Sequence, residues 1–132
     1  MPLPTTRARL PVTLGVLRSA LGATMLVRPM LLPRPLGVDR ITADRISWLV
    51  RMLGARDLAL GVGTLVATRR GGLPPWLVLA GAADTVDALA LGQATARGDV
   101  GRVLGTLAAL AGAGGAALSA IAYSDQRTAE PG

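Results

Sequence analysis

Apolar residues run through this chain in four long stretches, at about residues 10–32, 43–68, 75–96 and 100–123, separated by short segments rich in Pro, Gly and Arg. An α-helix needs about twenty apolar residues to cross the hydrocarbon core of a bilayer. Pro11 suits an opening turn, and Pro29 and Pro33 weaken or end the first helix. Thr42 is placed to cap the second, with Ile41 as a staple against Ile46. Arg69, Arg70, Gly71 and Gly72 close it. Pro74 and Pro75 then open the third, Arg97 and Gly98 stop it, and Asp99 is placed to cap the fourth. Trp48, Trp76 and Tyr123 sit near stretch ends, where interfacial aromatics belong. The pattern predicts an all-α polytopic membrane protein, a four-transmembrane-helix bundle with short loops, forming a single membrane domain over residues 1–132. Ser124 onward reads as a short polar tail. Met1–Arg9 has the charge of a leader's first segment, but Arg18 interrupts the apolar run that would follow, so the first helix is expected to be retained.

Composition supports the membrane reading. Hydrophobic residues make up 51% and charged residues 17%, with mean hydropathy +0.48. The chain has no Phe, one Tyr and two Trp, but 17 Gly. Soluble cores draw on aromatic bulk, whereas membrane helices pack closely through small residues. Gly15 and Gly22, and likewise Gly54 and Gly61, lie seven apart, which places each pair on one helix face. Gly101-x-x-x-Gly105 is a further close-packing spacing at the start of the fourth helix. The run AGAGG after it suits an intramolecular seam or a subunit contact. The net charge of +6 comes from 14 Arg with no Lys. No Arg cluster is interleaved with aromatics, so the basicity points to lipid headgroups rather than nucleic acid. The absence of Cys and His removes disulfides, thiol chemistry and the usual zinc and haem sites, and no metal or cofactor is expected. An even number of spans would leave both termini on one side. The arginines divide too evenly between the two sides to fix which one.

Charges inside three of the stretches carry the most information: Arg18 in the first, Arg51, Arg56 and Asp57 in the second, and Asp84 and Asp87 in the third. Charges in lipid are costly, and they turn inward to meet partners. Arg56 and Asp57 are adjacent, so they point about 100° apart and each is expected to find its partner elsewhere. Asp84 and Asp87, three apart, share one side of their helix. Arg56 lies about fifteen residues before the turn at Gly71 and Gly72, and Asp87 about fifteen after it. Antiparallel helices would set the two at one depth. Arg18 joins from a third side, and Arg51 would make the cluster neutral. The network reads either as an ion-pair lock on helix register or as a polar cavity for a proton, ion or anionic ligand. The Asp-x-x-Asp spacing lacks the second acidic motif that divalent-metal catalysis would use.

The runs WLVRMLGARDLALGVGTL and GAADTVDAL resemble those of a family of small actinobacterial integral membrane proteins with four predicted helices. In that family an Arg-x-x-Gly-x-Arg-Asp segment precedes an Asp-x-x-Asp pair. The matching residues are Arg51, Gly54, Arg56, Asp57, Asp84 and Asp87. The likeness covers the first three helices, and the fourth by composition only. It implies a multi-pass, plasma-membrane setting and brings no activity. Small size and short loops leave no soluble domain for chemistry. The expected role is non-enzymatic: an accessory or scaffold subunit of a cell-envelope complex, with membrane lipids and a larger complex or homo-oligomer as partners. A small transporter or proton/ion-translocating unit is the first alternative, and a lipid- or quinone-binding enzyme the second.

Overall fold

The computed structural model describes residues 6–128; Met1 to Thr5, part of the leader-like opening, lie outside them. The elements are α1 (Thr6–Val27), a 3-10 turn (Pro29–Leu31), α2 (Arg40–Arg45), α3 (Ser47–Arg70), α4 (Leu73–Arg97) and α5 (Arg102–Arg127). No strand forms among the described residues.

Three helical segments, Arg9–Val27, Leu73–Arg97 and Arg102–Arg127, are long and apolar enough to cross a membrane. The expectation of four spans is therefore corrected: the chain is an all-α polytopic membrane protein with three long apolar helices. The difference lies in α3. It is as long as the others, but Arg51, Arg56 and Asp57 interrupt it and Arg69 and Arg70 end it, so its composition is too charged to count as a span. The three apolar helices turn large side chains outward: Leu17, Leu21, Val86, Leu89, Leu107 and Leu110 are all exposed. Charged side chains lie inside instead (Asp57 is 6% exposed). Apolar-out, charge-in is the arrangement lipid favours.

Packing divides into two antiparallel pairs, α1 with α3 and α4 with α5, which meet each other more sparsely. Glycine makes the first pair close. A Cβ on Gly61 would lie 2.6 Å from the Ser19 amide nitrogen and 2.7 Å from the Gly15 carbonyl oxygen. One on Gly54 would lie 2.7 Å from Met25 Cβ, and one on Gly22 would run into the Leu58 backbone. The second pair uses Gly112, where a Cβ would lie 3.1 Å from the Asp84 carbonyl oxygen, and Gly105, which lies against Thr95 and Val100. Without apolar solvent exclusion to drive association in lipid, backbone approach of this kind gains dispersion contacts that larger residues would block. The two pairs touch near the α3–α4 turn, where Ala67, Leu73, Leu77 and Ala122 form a small core covered by Leu10, Trp76 and Tyr123. Trp76, in the first turn of α4, lies against the bare backbone of Gly63.

The connections differ from expectation in detail. The first helix ends at Val27 and not near 32, because Pro29 brings no amide hydrogen and opens the 3-10 turn instead. The second helix is split: α2 stops at Ile46 before α3 begins. Asp39, not Thr42, caps α2, accepting from the amides of Ile41 (3.0 Å) and Thr42 (3.1 Å). Gly71 (φ +88°) and Gly72 (φ +78°) make the α3–α4 turn in a region that only glycine enters freely. Asp99 does not cap α5. Gly101 holds that position, and its amide donates to the Leu36 carbonyl (2.8 Å), tying the α1–α2 connection to the α4–α5 turn. Gly101 is the N-cap of the helix that holds Gly105; it lies against Leu36, whereas Gly105 lies against Thr95 and Val100. α5 runs on to Arg127, so the polar tail begins later than expected.

Gly61→Ala is expected to lower stability by about 1–3 kcal/mol, because its methyl meets backbone that cannot yield. Gly92→Ala, with nothing within 4 Å of the added carbon, should be neutral or gain up to about 1 kcal/mol of helix propensity. Thermal unfolding in mild detergent compares them. The Asp39 carboxyl is held below its usual range by hydrogen bonds from the side chain and amide of Thr42. The stability it adds is present above the ordinary carboxylate value and lost as pH falls through the lowered one. The gap in thermal midpoint between the wild type and Asp39→Ala should therefore narrow as pH falls.

Candidate functional site: an intramembrane chain of alternating charge

Three of the four long helices contribute charged side chains to one cluster. α1 carries Gly15-x-x-Arg18-x-x-x-Gly22 and α3 carries Gly54-x-x-Asp57-x-x-x-Gly61. In each, the charge lies on the face that the glycines mark, since positions three, four and seven apart share one side of a helix. Close approach of the two helices therefore brings Arg18 to Asp57, with Arg18 Nη1 donating to Asp57 Oδ1 at 3.1 Å. The other guanidinium nitrogen of Arg18, Nη2, donates to Asp84 Oδ2 on α4.

Arg56 closes the circuit. Its Nη1 and Nη2 donate to Asp87 Oδ1 (3.2 Å) and Oδ2 (2.6 Å), a two-pronged pairing between planar groups. Its Nη2 also donates to Asp57 Oδ1 at 3.2 Å. The adjacent pair Arg56 and Asp57 thus do meet, contrary to expectation, because the long guanidinium arm folds back over the helix surface. The result is a line of five alternating charges, Asp84–Arg18–Asp57–Arg56–Asp87. Each cation lies between two anions, and a single oxygen of Asp57 accepts from both.

Burial is graded along the line. The side chains of Asp57, Asp84 and Arg18 are 8%, 13% and 14% exposed, against 32% and 33% for Arg56 and Asp87. The sealed end lies where α1, α3 and α4 converge, and the open end lies between α3 and α4. Arg56 Nε is buried and has no hydrogen-bond partner among the described residues. On α5, Gly115 makes room for the sealed end: a Cβ there would lie 2.6 Å from Asp84 Oδ2.

Arg51 is not part of the cluster. Its side chain is exposed, and it forms no ion pair among the described residues. It lies well over a turn before Arg56, toward the α3 start, and so does not neutralise the third carboxylate. No group of acidic side chains among the described residues is placed to hold a metal ion.

The sequence reading missed Asp57 as the shared acceptor and Gly115 as the space beside Asp84. The signal for Asp57 was its place between Gly54 and Gly61. That for Gly115 was depth: Asp84 and Gly115 lie about equally far from the α4–α5 turn at Gly98. No family model, curated protein sequence or solved structure matches this chain.

Removing the shared acceptor by Asp57→Asn leaves two guanidiniums with weakened compensation in a low-dielectric interior. It should cost about 3–5 kcal/mol. Arg51→Gln should change stability by no more than about 0.5 kcal/mol. Thermal unfolding of both variants in the same detergent checks the contrast.

Proposed function

We propose that this protein is a non-enzymatic accessory or scaffold subunit of a plasma-membrane complex in the cell envelope, and that the Arg/Asp line is its internal lock. The observation that carries this reading is the mutual pairing of the network's charges. All three carboxylates and both guanidiniums are engaged with one another, and two of the four ion pairs join α4 to the α1–α3 pair. A charged network of this kind specifies one packing of helices even where apolar residues would be as stable.

Two grooves lie away from the network. One of about 570 Å³ runs between α4 and α5 past Thr85, Gly92, Thr106 and Ala113, and a second of about 260 Å³ continues past Gly81 and Ser119. Neither is lined by any of the five network residues. The outward apolar faces of the three spans leave surface for a neighbouring membrane protein.

One observation favours a second reading, a small proton- or ion-translocating unit. The open end of the line, at Arg56 and Asp87, is a third exposed, and Arg56 Nε has no hydrogen-bond partner among the described residues. Protonatable carboxylates at membrane depth can relay protons.

The two readings separate in a double-mutant cycle joined to purification. Asp87→Asn should lower stability and Arg56→Gln added to it should restore part of the loss, with a coupling of about 0.5–3 kcal/mol. The double variant should still co-purify in mild detergent with the same stoichiometric membrane partner as the wild type. A chain that purifies without a partner, and whose ion flux in vesicles disappears in the folded double variant, would overturn the scaffold reading in favour of the second.

A further inference from the structure

The connections at one end of the molecule gather exposed positive charge. This is the end where α1 finishes, α3 begins, α4 finishes and α5 begins. The Gly101–Leu36 hydrogen bond (2.8 Å) joins the two connecting segments there. Arg34 stands two residues from one partner of that bond, and Arg97 and Arg102 stand four and one from the other. Arg28 precedes the 3-10 turn, and Arg40 and Arg45 bound α2. All six are exposed, and none forms an ion pair among the described residues. Asp39, Asp44 and Asp99 are the acidic residues beside them, and Asp39 is occupied in capping α2.

Apolar side chains accompany the charge. Ile41 on α2 is 68% exposed and Trp48, the second residue of α3, is 62% exposed, while Ala43 on α2 is fully buried against the protein. A short helix with one residue packed inward, an exposed isoleucine and an arginine at each end suits the boundary between headgroups and acyl chains. Among the described residues, the opposite end carries Arg9, Arg69, Arg70 and Arg127 beside Asp125 but no helix of this kind.

We propose that this end is a docking surface for anionic phospholipid headgroups, with Arg34, Arg97 and Arg102 around the Leu36–Gly101 junction as its centre. Charge complementarity selects the occupant. Arg97 ends one span and Arg102 begins the next, where a span meets the headgroups, and a guanidinium matches a phosphodiester through paired hydrogen bonds. Because the three arginines belong to segments from both helix pairs, a bound headgroup stabilises the joint between the pairs. The inference rests on the membrane spans and not on the subunit role.

The test is thermal unfolding of the full chain in an uncharged detergent, titrated separately with phosphatidylglycerol, phosphatidylcholine and inorganic phosphate. Phosphatidylglycerol should raise the midpoint by about 4 °C or more, and the other two should leave it in place. The rise should shrink as salt screens the charges. R34Q/R97Q/R102Q should lose the rise, R40Q/R45Q should reduce it, and R69Q/R70Q at the other end should keep it. Should the triple variant not fold, R40Q/R45Q against R69Q/R70Q gives the same contrast. Equal loss at both ends, or an undiminished rise in the junction variants, would overturn the assigned surface. A rise with inorganic phosphate as large as with the lipid would overturn the assignment to lipid.

Discussion

A single carboxylate oxygen, Oδ1 of Asp57, accepts from Arg18 and Arg56 at once, and the arrangement of the helices follows from satisfying that arrangement. Arg18 gives one arm to Asp57 and the other to α4, whereas Arg56 shares one arm between Asp57 and α4 and gives the other to α4. Arg18 takes Asp84 and Arg56 takes Asp87. The register of α4 against the α1–α3 pair is thereby set by two bonds about one turn apart. Sliding α4 by a residue would rotate both carboxylates off their partners and strand charges in a medium that does not solvate them. The apolar contacts between the pairs, at Ala67, Leu73, Leu77 and Ala122, gather near the α3–α4 turn. The ion pairs hold the register deeper along the helices, away from that turn.

The network depends in turn on the glycines. Arg18 meets Asp57 because Gly15, Gly22, Gly54 and Gly61 let α1 and α3 approach to backbone contact. Asp84 meets Arg18 beside α5 because Gly115 leaves its carboxylate room. Small residues and buried charge are thus parts of one arrangement. Close packing excludes water and lipid, and the exclusion strengthens the ion pairs that hold the register.

Much of this was legible in the sequence, and the residues show why. The tight turn at Gly71 and Gly72 allows depth to be counted outward, which sets Arg56 level with Asp87. The seven-residue glycine spacing marks the α1–α3 face. The span count was not legible in the same way. Stretch length treats α3 like its neighbours, whereas its charge content sets it apart. The sequence places Arg18 in the cluster but not its partners, because the connection from Arg28 to Ile46 is too long and irregular for depth to be counted through it. Arg51 was grouped with the network on charge balance and its place in the Arg-x-x-Gly-x-Arg-Asp segment, and neither carries a distance. The break at Ile46 and the Asp39 cap are local choices among several competent residues, where Thr42 and Asp39 differ by little.

The account makes the Arg18–Asp84 and Arg56–Asp87 bonds the clamp between two otherwise self-contained helix pairs. The chain has no cysteine, so spin labels can be introduced singly at exposed positions. Pulsed electron spin resonance in nanodiscs would compare labels at Leu17 and Leu107, one on each pair, with labels at Leu17 and Val62, both on the first pair. In the Asp84→Asn/Asp87→Asn variant the distance distribution between the pairs should broaden while that within the pair stays as narrow as in the wild type. A between-pair distribution unchanged by the two substitutions would contradict the account and assign the joint to apolar contact alone.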